Sequence, residues 1–197
     1  AGTTPADADQ KGRTSLAASG EIGQDLTDKW HVDLAGHYEH YNDGSGTTTN
    51  GKIATRYQLT PILAVRGSVS TGFRAPSLAQ QIYSSTSQTS VNGNLFNYRN
   101  VAVDSDVAKA LGATTLKPEK STNFALGLTL QPTDATSITL DAYQIKIKDR
   151  IDQTGYLGGT PQIDAILGAA GLPTNQAVTY FTNALDTTTT GIDIVGT

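Results

Sequence analysis

Cysteine and methionine are both missing from the 197 residues. Without cysteine there is no disulfide framework and no thiolate metal site. An excess of basic charge is missing too: 14 Lys and Arg stand against 18 Asp and Glu, for a net charge of −4. That balance argues against a nucleic-acid partner, because a basic field supplies most of such an affinity. No apolar run approaches the roughly 20 residues a transmembrane helix needs. This excludes helical spans and leaves a β-barrel open, whose alternating strands average out in hydropathy. No signal-peptide pattern stands at the start. With no methionine and an opening Ala-Gly-Thr-Thr, the chain is expected to be a processed or excised piece of a longer product. No nucleophile–base pair and no phosphate-cradling glycine loop is legible, so neither enzymatic activity nor a cofactor is expected.

What is present is alternation. In residues 62–78, ILAVRGSVSTGFRAPSL, one face carries Leu63, Val65, Gly67, Val69, Thr71 and Phe73. The other carries Ala64, Arg66, Ser68, Ser70, Gly72 and Arg74. Period-2 alternation is the strand signature, since successive side chains point to opposite faces. Pro76 ends the run, having no backbone N–H to give a ladder. Residues 30–41 repeat the pattern, with Trp30, Val32, Leu34, Gly36 and Tyr38 opposite His31, Asp33, Ala35, His37 and Glu39. Trp30 and Tyr38 would stand about 26 Å apart along a strand, near the height of a lipid-facing band between two aromatic girdles. A soluble sheet with two aromatics on its apolar face is the blander alternative.

Further strands are expected at 13–26, 52–59, 122–131, 137–149 and 183–197, making seven, while residues 1–12 read as loop. The parity of 137–149 is awkward: Ile138, Leu140 and Ala142 share one face, and Tyr143, Ile145 and Ile147 share the other. Either a β-bulge switches the faces midway or the upper half is covered on both sides. Turns at 26–29, 60–61 and 131–136 are short; connections at 42–51, 75–117 and 149–182 are long. In an up-and-down sheet this alternation puts every short turn at one end and every long loop at the other, as in outer-membrane barrels. Two short loop helices are expected. One lies at 104–112, capped by Asp104 or Ser105 and stopped by Gly112. The other, at 160–171, has Thr160 as cap, Pro161 first, Gly171 at the exit, and Ile163, Ile166, Leu167 and Ala170 along one face.

Four segments then carry a resemblance. RGSVSTGFRAPSLAQ (66–80), LKPEKSTNFALG (116–127), SITLDAYQIKIKDRI (137–151) and YFTNALDTTTTGIDIV (180–195) occur in this order and spacing. They resemble motifs of the TonB-dependent outer-membrane receptors, where strands enter and leave extracellular loops. The resemblance covers most of residues 56–197. It implies an antiparallel, up-and-down transmembrane β-barrel, here a partial one of about seven strands. It implies energised uptake of a scarce nutrient, of the ferric siderophore, cobalamin or oligosaccharide class, in the outer membrane of a Gram-negative bacterium. Barrels of this kind have about 22 strands, so the chain is expected to be a barrel segment lacking the plug domain and the C-terminal strands. Its expected partners are a small-molecule or metal-chelate cargo, outer-membrane lipid, and TonB through the missing N-terminal plug. The alternatives are a passive porin-like channel and a soluble β-rich binding or adhesin domain.

The resemblance gives a structural role at strand entries and exits to Phe73, Arg74, Pro76, Leu116, Pro118, Glu119, Asn123, Asp141, Tyr143, Asn183 and Gly191. Arg56, Arg66, His31 and His37 are expected to face the lumen. There the arginines could meet carboxylates of a plug, line a path for an anionic cargo, or be solvated. The row of His31, Asp33, His37 and Glu39 can in principle bind a metal, but lumen faces are routinely polar and no metal site is expected. For cargo, Tyr83, Phe96, Tyr98 and Arg99 in the 75–117 connection form a set of aromatics with one cation, a common recognition kit and equally common loop packing.

Overall fold

The computed structural model describes residues 10–91 and 94–197; the opening residues 1–9, read above as loop, lie outside them. In chain order the elements are β1 (Ser15–Thr27), β2 (Trp30–Tyr41), β3 (Thr47–Thr60), β4 (Leu63–Arg74), α1 (Leu78–Ile82), β5 (Ser85–Val91) and β6 (Asn94–Asn100). There follow α2 (Asp106–Ala110), β7 (Glu119–Thr133), β8 (Thr136–Gln153), β9 (Leu157–Gly158), α3 (Pro161–Ala169), β10 (Gln176–Thr179) and β11 (Phe181–Gly196). The seven long strands form one antiparallel sheet in the order β1-β2-β3-β4-β7-β8-β11. Those seven are the strands the alternation predicts. β1 and β11 are the two edges, so the sheet is open. No described helix is long and apolar enough to cross a membrane.

The pairing registers align the faces across all seven strands. His31, Arg56, Arg66, Gly127 and Asp141 fall in one cross-strand row, on the polar face. On the opposite face, Leu34, Ile53, Val69 and Phe124 form a row, and so do Val65, Leu128, Leu140 and Ile194. These apolar side chains are not buried within the chain: Phe124 is 47% exposed, Ile53 53% and Ile194 73%. In water such a continuous apolar face is a docking or aggregation surface; in a bilayer it is the lipid-facing band. Trp30 and Tyr57 are direct cross-strand partners at the short-turn end, where the Trp30 Nε1–H donates to Thr55 Oγ1 at 2.7 Å.

The β7–β8 ladder runs unbroken from Lys120–Lys148 to Leu130–Ile138, so no bulge switches the faces of β8 midway. The parity change has another cause. β8 has 18 residues, about 60 Å at 3.3 Å per residue, far more than a band of about 25 Å requires. Its apolar-face row reads Ile138, Leu140, Ala142 and then Gln144, Lys146, Lys148. The strand leaves the band at Gln144, and around and above that level Tyr143, Ile145 and Ile147 are half-buried on the other face. The irregularity lies higher, at Asp149 (φ 56°), where the β8–β11 register shifts.

Three other expectations change. β3 begins at Thr47 rather than 52, because Thr47–Asn50 already pair with His40–His37; the β-branched threonines suit a pleated edge, and the connection shrinks to residues 42–46. Phe73, assigned by alternation to the apolar face, instead lies with its ring centroid 6.5 Å from His37 and 6.1 Å from Tyr41. The last β3–β4 pair is Lys52–Ser70. Beyond it the Gly51 N–H donates to the Thr71 hydroxyl and β4 stays paired with β7 alone, through Phe73–Lys120 and Arg74–Glu119, so no β3 partner stands in register beside the Phe73 ring. The 75–117 connection, where alternation is lost, nevertheless contains α1, β5 and β6.

At the long-loop end, β5-β6-β10-β9 form a second, four-stranded sheet. β10 pairs parallel to β6 and antiparallel to β9, and all four of its residues are buried. α2 and α3 close one side through Val101, Val107, Ala108, Leu167, Val178 and Tyr180. Both helices start and stop as the caps predict: Ser105 accepts from the Ala108 N–H, Thr160 from the Ile163 N–H, and Gly112 and Gly171 take φ of 92° and 70°. Leu167 is fully buried and Ile163 partly so, whereas Ile166 stays 43% exposed.

Candidate functional site

The strand entries and exits are built from side chains that satisfy backbone at a distance. Glu119, 6% exposed at the start of β7, is gripped bidentately by Arg74 of β4, with Nε at 2.8 Å from Oε2, and accepts the Ile151 N–H at 2.8 Å. One carboxylate thus ties three strands. Asn183 donates from Nδ2 to Lys117 O and Asp149 O, and its Oδ1 accepts the Lys117 N–H at 2.9 Å. Leu116 is buried against Val103 and Ile151. Pro118 lies half-buried next to Glu119. Pro76 is fully buried, and its carbonyl accepts from Arg13 Nη1 at 2.8 Å. Arg13 also lies over the Tyr41 ring and 3.6 Å from Asp43, which accepts the Ser45 N–H and a Gln81 amide hydrogen. Burial by itself would push the Asp43 carboxyl up, but the Ser45 and Gln81 hydrogen bonds and the Arg13 charge hold it below its ordinary value.

On the polar face, glycines make room for large neighbours. Arg66 reaches across Gly127 to Asp141, with Nε 3.0 Å from Oδ1. A Cβ at 127 would collide with the Asp141 carboxylate and stand 2.8 Å from Arg66 Nε. In the same way Tyr143 lies over Gly191, its cross-strand partner. Asn123 donates to Ser70 Oγ of β4 at 3.3 Å. His31 sits between Asp25 and Asp33, at 2.6 and 3.0 Å, and His37 is 3.3 Å from Glu39. Arg56 has a neutral partner, Gln58 Oε1, at 2.6 Å. Lys52 and Arg56 line a groove with Asp33, Arg66 and Asp141; its two carboxylates contact His31 and Arg66, and neither Lys52 nor Arg56 has an ion pair among the described residues.

The cargo candidates are divided by the strand that bears them. Phe96 and Tyr98 share one face of β6, with ring centroids 5.4 Å apart. Tyr156 continues the row at 5.1 Å from Tyr98, edge to face. Arg99 points the other way, toward the helix side, where it pairs with Val178 in register and donates to Gln176 Oε1 at 3.2 Å. Tyr83, 47% exposed, follows α1 and does not join the row. Tyr156 was not singled out by the sequence. It is adjacent in the fold because β9 packs against β10 where Gly158 meets Ala177, and a Cβ at 158 would stand 2.6 Å from the Ala177 Cα. A further signal lay in Ser77-x-x-Gln80, a reciprocal capping box that starts α1.

A family described as TonB dependent receptor-like, beta-barrel, matches residues 1–197. The chain belongs to the TonB-dependent receptors. Its place is the Gram-negative outer membrane, where the exposed face of a β-barrel that meets lipid is apolar. The iron-regulated outer membrane virulence protein of Vibrio cholerae is 28% identical over 126 residues, 64% of this chain and 17% of that protein. Among solved structures, the siderophore receptor PirA of Acinetobacter baumannii superposes with a TM-score of 0.65 at 17% identity, over 92% of this chain and 25% of its own. The ferric enterobactin receptor PfeA of Pseudomonas aeruginosa gives 0.66 at 17% identity, over 97% and 26%. At these identities the structural likeness establishes the fold alone. The chain spans about a sixth of the curated relative and about a quarter of the solved receptors.

Proposed function

We propose that the chain is part of the barrel of a receptor for energised uptake across the outer membrane, and that its cargo is a metal chelate of the ferric siderophore class. The observation that carries the cargo reading is the row Phe96–Tyr98–Tyr156 on one face of the sheet above the barrel. Ring faces and edges of this kind suit a ligand with planar aromatic groups. The named receptors of similar fold point the same way.

The rest of the reading concerns the parent protein. An open sheet with two unpaired edges cannot stand in hydrocarbon, where every backbone group needs a partner. Further strands must therefore continue it at β1 and β11. The polar face is then the lumen wall, and Lys52 and Arg56, which have no ion pair among the described residues, suit carboxylates of a plug domain, through which TonB would act.

The test uses the full-length receptor. Purified protein is titrated with ferric catecholate, ferric hydroxamate, haem, cobalamin and a maltooligosaccharide, followed by intrinsic fluorescence. Tight binding of an iron chelate that weakens about tenfold or more in Tyr98→Ala or Tyr156→Ala supports the reading. Selective binding of cobalamin or the oligosaccharide overturns the cargo class, and cargo uptake in cells lacking TonB overturns energised transport.

A further inference from the structure

The lipid face does not end in neutral residues on β7 and β8. Directly above the apolar rows stand three lysines. Lys120 and Lys148 are direct cross-strand partners, and Lys146 lies two residues below Lys148 on the same face, opposite Thr122 and Thr188. All three are exposed. Like charges facing each other on a ladder are destabilising. Yet none of the three has an ion pair or hydrogen bond among the described residues. Of the nearby acids, Glu119 is paired with Arg74, Asp186 accepts the Asp149 N–H and Asp152 accepts the Gln153 N–H; neither these nor Asp149 forms an ion pair with the three lysines.

Position gives the cluster its meaning. The apolar rows directly below it hold Leu126, Ala142 and Ile192, with Phe124 and Gln144 at their upper margin. Lys146 is two residues above Gln144 and Lys148 four, or about 7 and 13 Å along the strand. That is the depth of the head groups, on the side where the long loops lie. Lysine stems can lie along the apolar rows while the ammonium groups stay in the polar layer. Cross-strand and two-residue spacings of about 5 and 7 Å suit a head group bearing more than one phosphate, not a single anion. The Thr122 and Thr188 hydroxyls flank the site as donors.

We propose that Lys120, Lys146 and Lys148 form a docking site on the outer wall of the barrel for the phosphorylated head group of a lipid in the long-loop-side leaflet. A bound polyanion would relieve the lysine–lysine repulsion and seat its acyl chains on Leu126 and Ile192. The site is separate from the cargo row and from the polar face.

The experiment compares the full-length receptor with a Lys120→Gln/Lys146→Gln/Lys148→Gln variant and with Lys29→Gln, a control at the short-turn end. Each is delipidated in mild detergent and titrated with bisphosphorylated lipid A, with the same lipid dephosphorylated, and with inorganic pyrophosphate, by native mass spectrometry. Retained resistance of each barrel to heat in detergent establishes folding, which solvent-exposed changes should leave intact. Near-surface lysines each contribute about fivefold to anionic-lipid binding, so the triple variant should lose at least tenfold for the phosphorylated lipid alone. Lys29→Gln should match wild type. Equal binding by wild type and triple variant overturns the proposal, as does wild-type indifference to the lipid phosphates. Pyrophosphate binding as tight as that of the lipid would reassign the lysines to a soluble anion and overturn the lipid assignment.

Discussion

Arg66 and Asp141 stand 75 positions apart and meet on the polar face, with Gly127 of the strand between them as the floor beneath their contact. Two forces operate there, and their sizes differ. The ion pair is half in solvent, with the Arg66 side chain 47% exposed, so it should contribute no more than about 1 kcal/mol. The steric requirement at 127 is stricter.

Gly127→Val should therefore cost more than Asp141→Asn. We expect about 1–3 kcal/mol for the valine, from displaced side chains, and less than about 1 kcal/mol for the asparagine. Urea unfolding of the full-length receptor in lipid vesicles checks the order. A larger loss for Asp141→Asn would show that the charge, not the space, holds this row.

At Glu119 the balance reverses, because the group is buried. Glu119→Ala strips the Ile151 N–H and Arg74 of their partner and should destabilise by about 2–4 kcal/mol. Glu119→Gln keeps an acceptor for Ile151 and should lose markedly less. The same unfolding assay reads both. Equal losses would mean that the Ile151 hydrogen bond contributes little.

Asn183 works mainly as a donor. Its Nδ2 serves two carbonyls, Lys117 O and Asp149 O. Asn183→Asp replaces both donated bonds with oxygen–oxygen repulsion, so this near-isosteric change should loosen the junction at least as much as Asn183→Ala. Limited proteolysis in the 154–180 connection should accelerate in both variants. Wild-type resistance in Asn183→Asp would show that the Lys117 N–H bond alone suffices.

The lipid band makes a depth prediction. Leu126→Arg, inside the band, should cost about 2–4 kcal/mol, and Thr122→Arg, two rows toward the loops and level with Lys146, about 0–1 kcal/mol. Equal costs in vesicle-embedded protein would move the membrane boundary from where Gln144 places it.

Asp43 carries the pH prediction. Its carboxyl is held below the ordinary value of 3.8 in the fold, so its contribution is complete above about pH 4 and is lost as pH falls through the lowered folded value. The stability gap between wild type and Asp43→Asn should thus be constant from pH 7 to 5 and close below about 4. Thermal melts across that range check it, and a gap that widens on acidification would contradict the assignment.

Alternation, turns and caps are local properties, and they were legible in the sequence. A strand shows its two faces in any window of eight residues, and Thr160-Pro161 or Gly171 act on the backbone beside them. That sufficed for seven strands, two of the three capped helices, the lipid face and the family motifs. What covers a face is not local. The parity of Ile138 to Ile147 was ambiguous because the sequence does not say where β8 leaves the membrane; the register with β7 and β11 does. Phe73 left its expected face because the β3–β4 ladder ends beneath it. Arg99 parted from Phe96 and Tyr98 because β6 became a strand, while Tyr156 joined them through the pairing of β9 with β10. Arg74 with Glu119, Asn183 with Lys117, and Lys120 with Lys148 are neighbours only once distant strands stand side by side. The chain's own sequence determined the seven long strands and, over most of their length, which way their faces point. Tertiary pairing decided which charges meet, because hydrogen-bond registers bring together residues that no local pattern links.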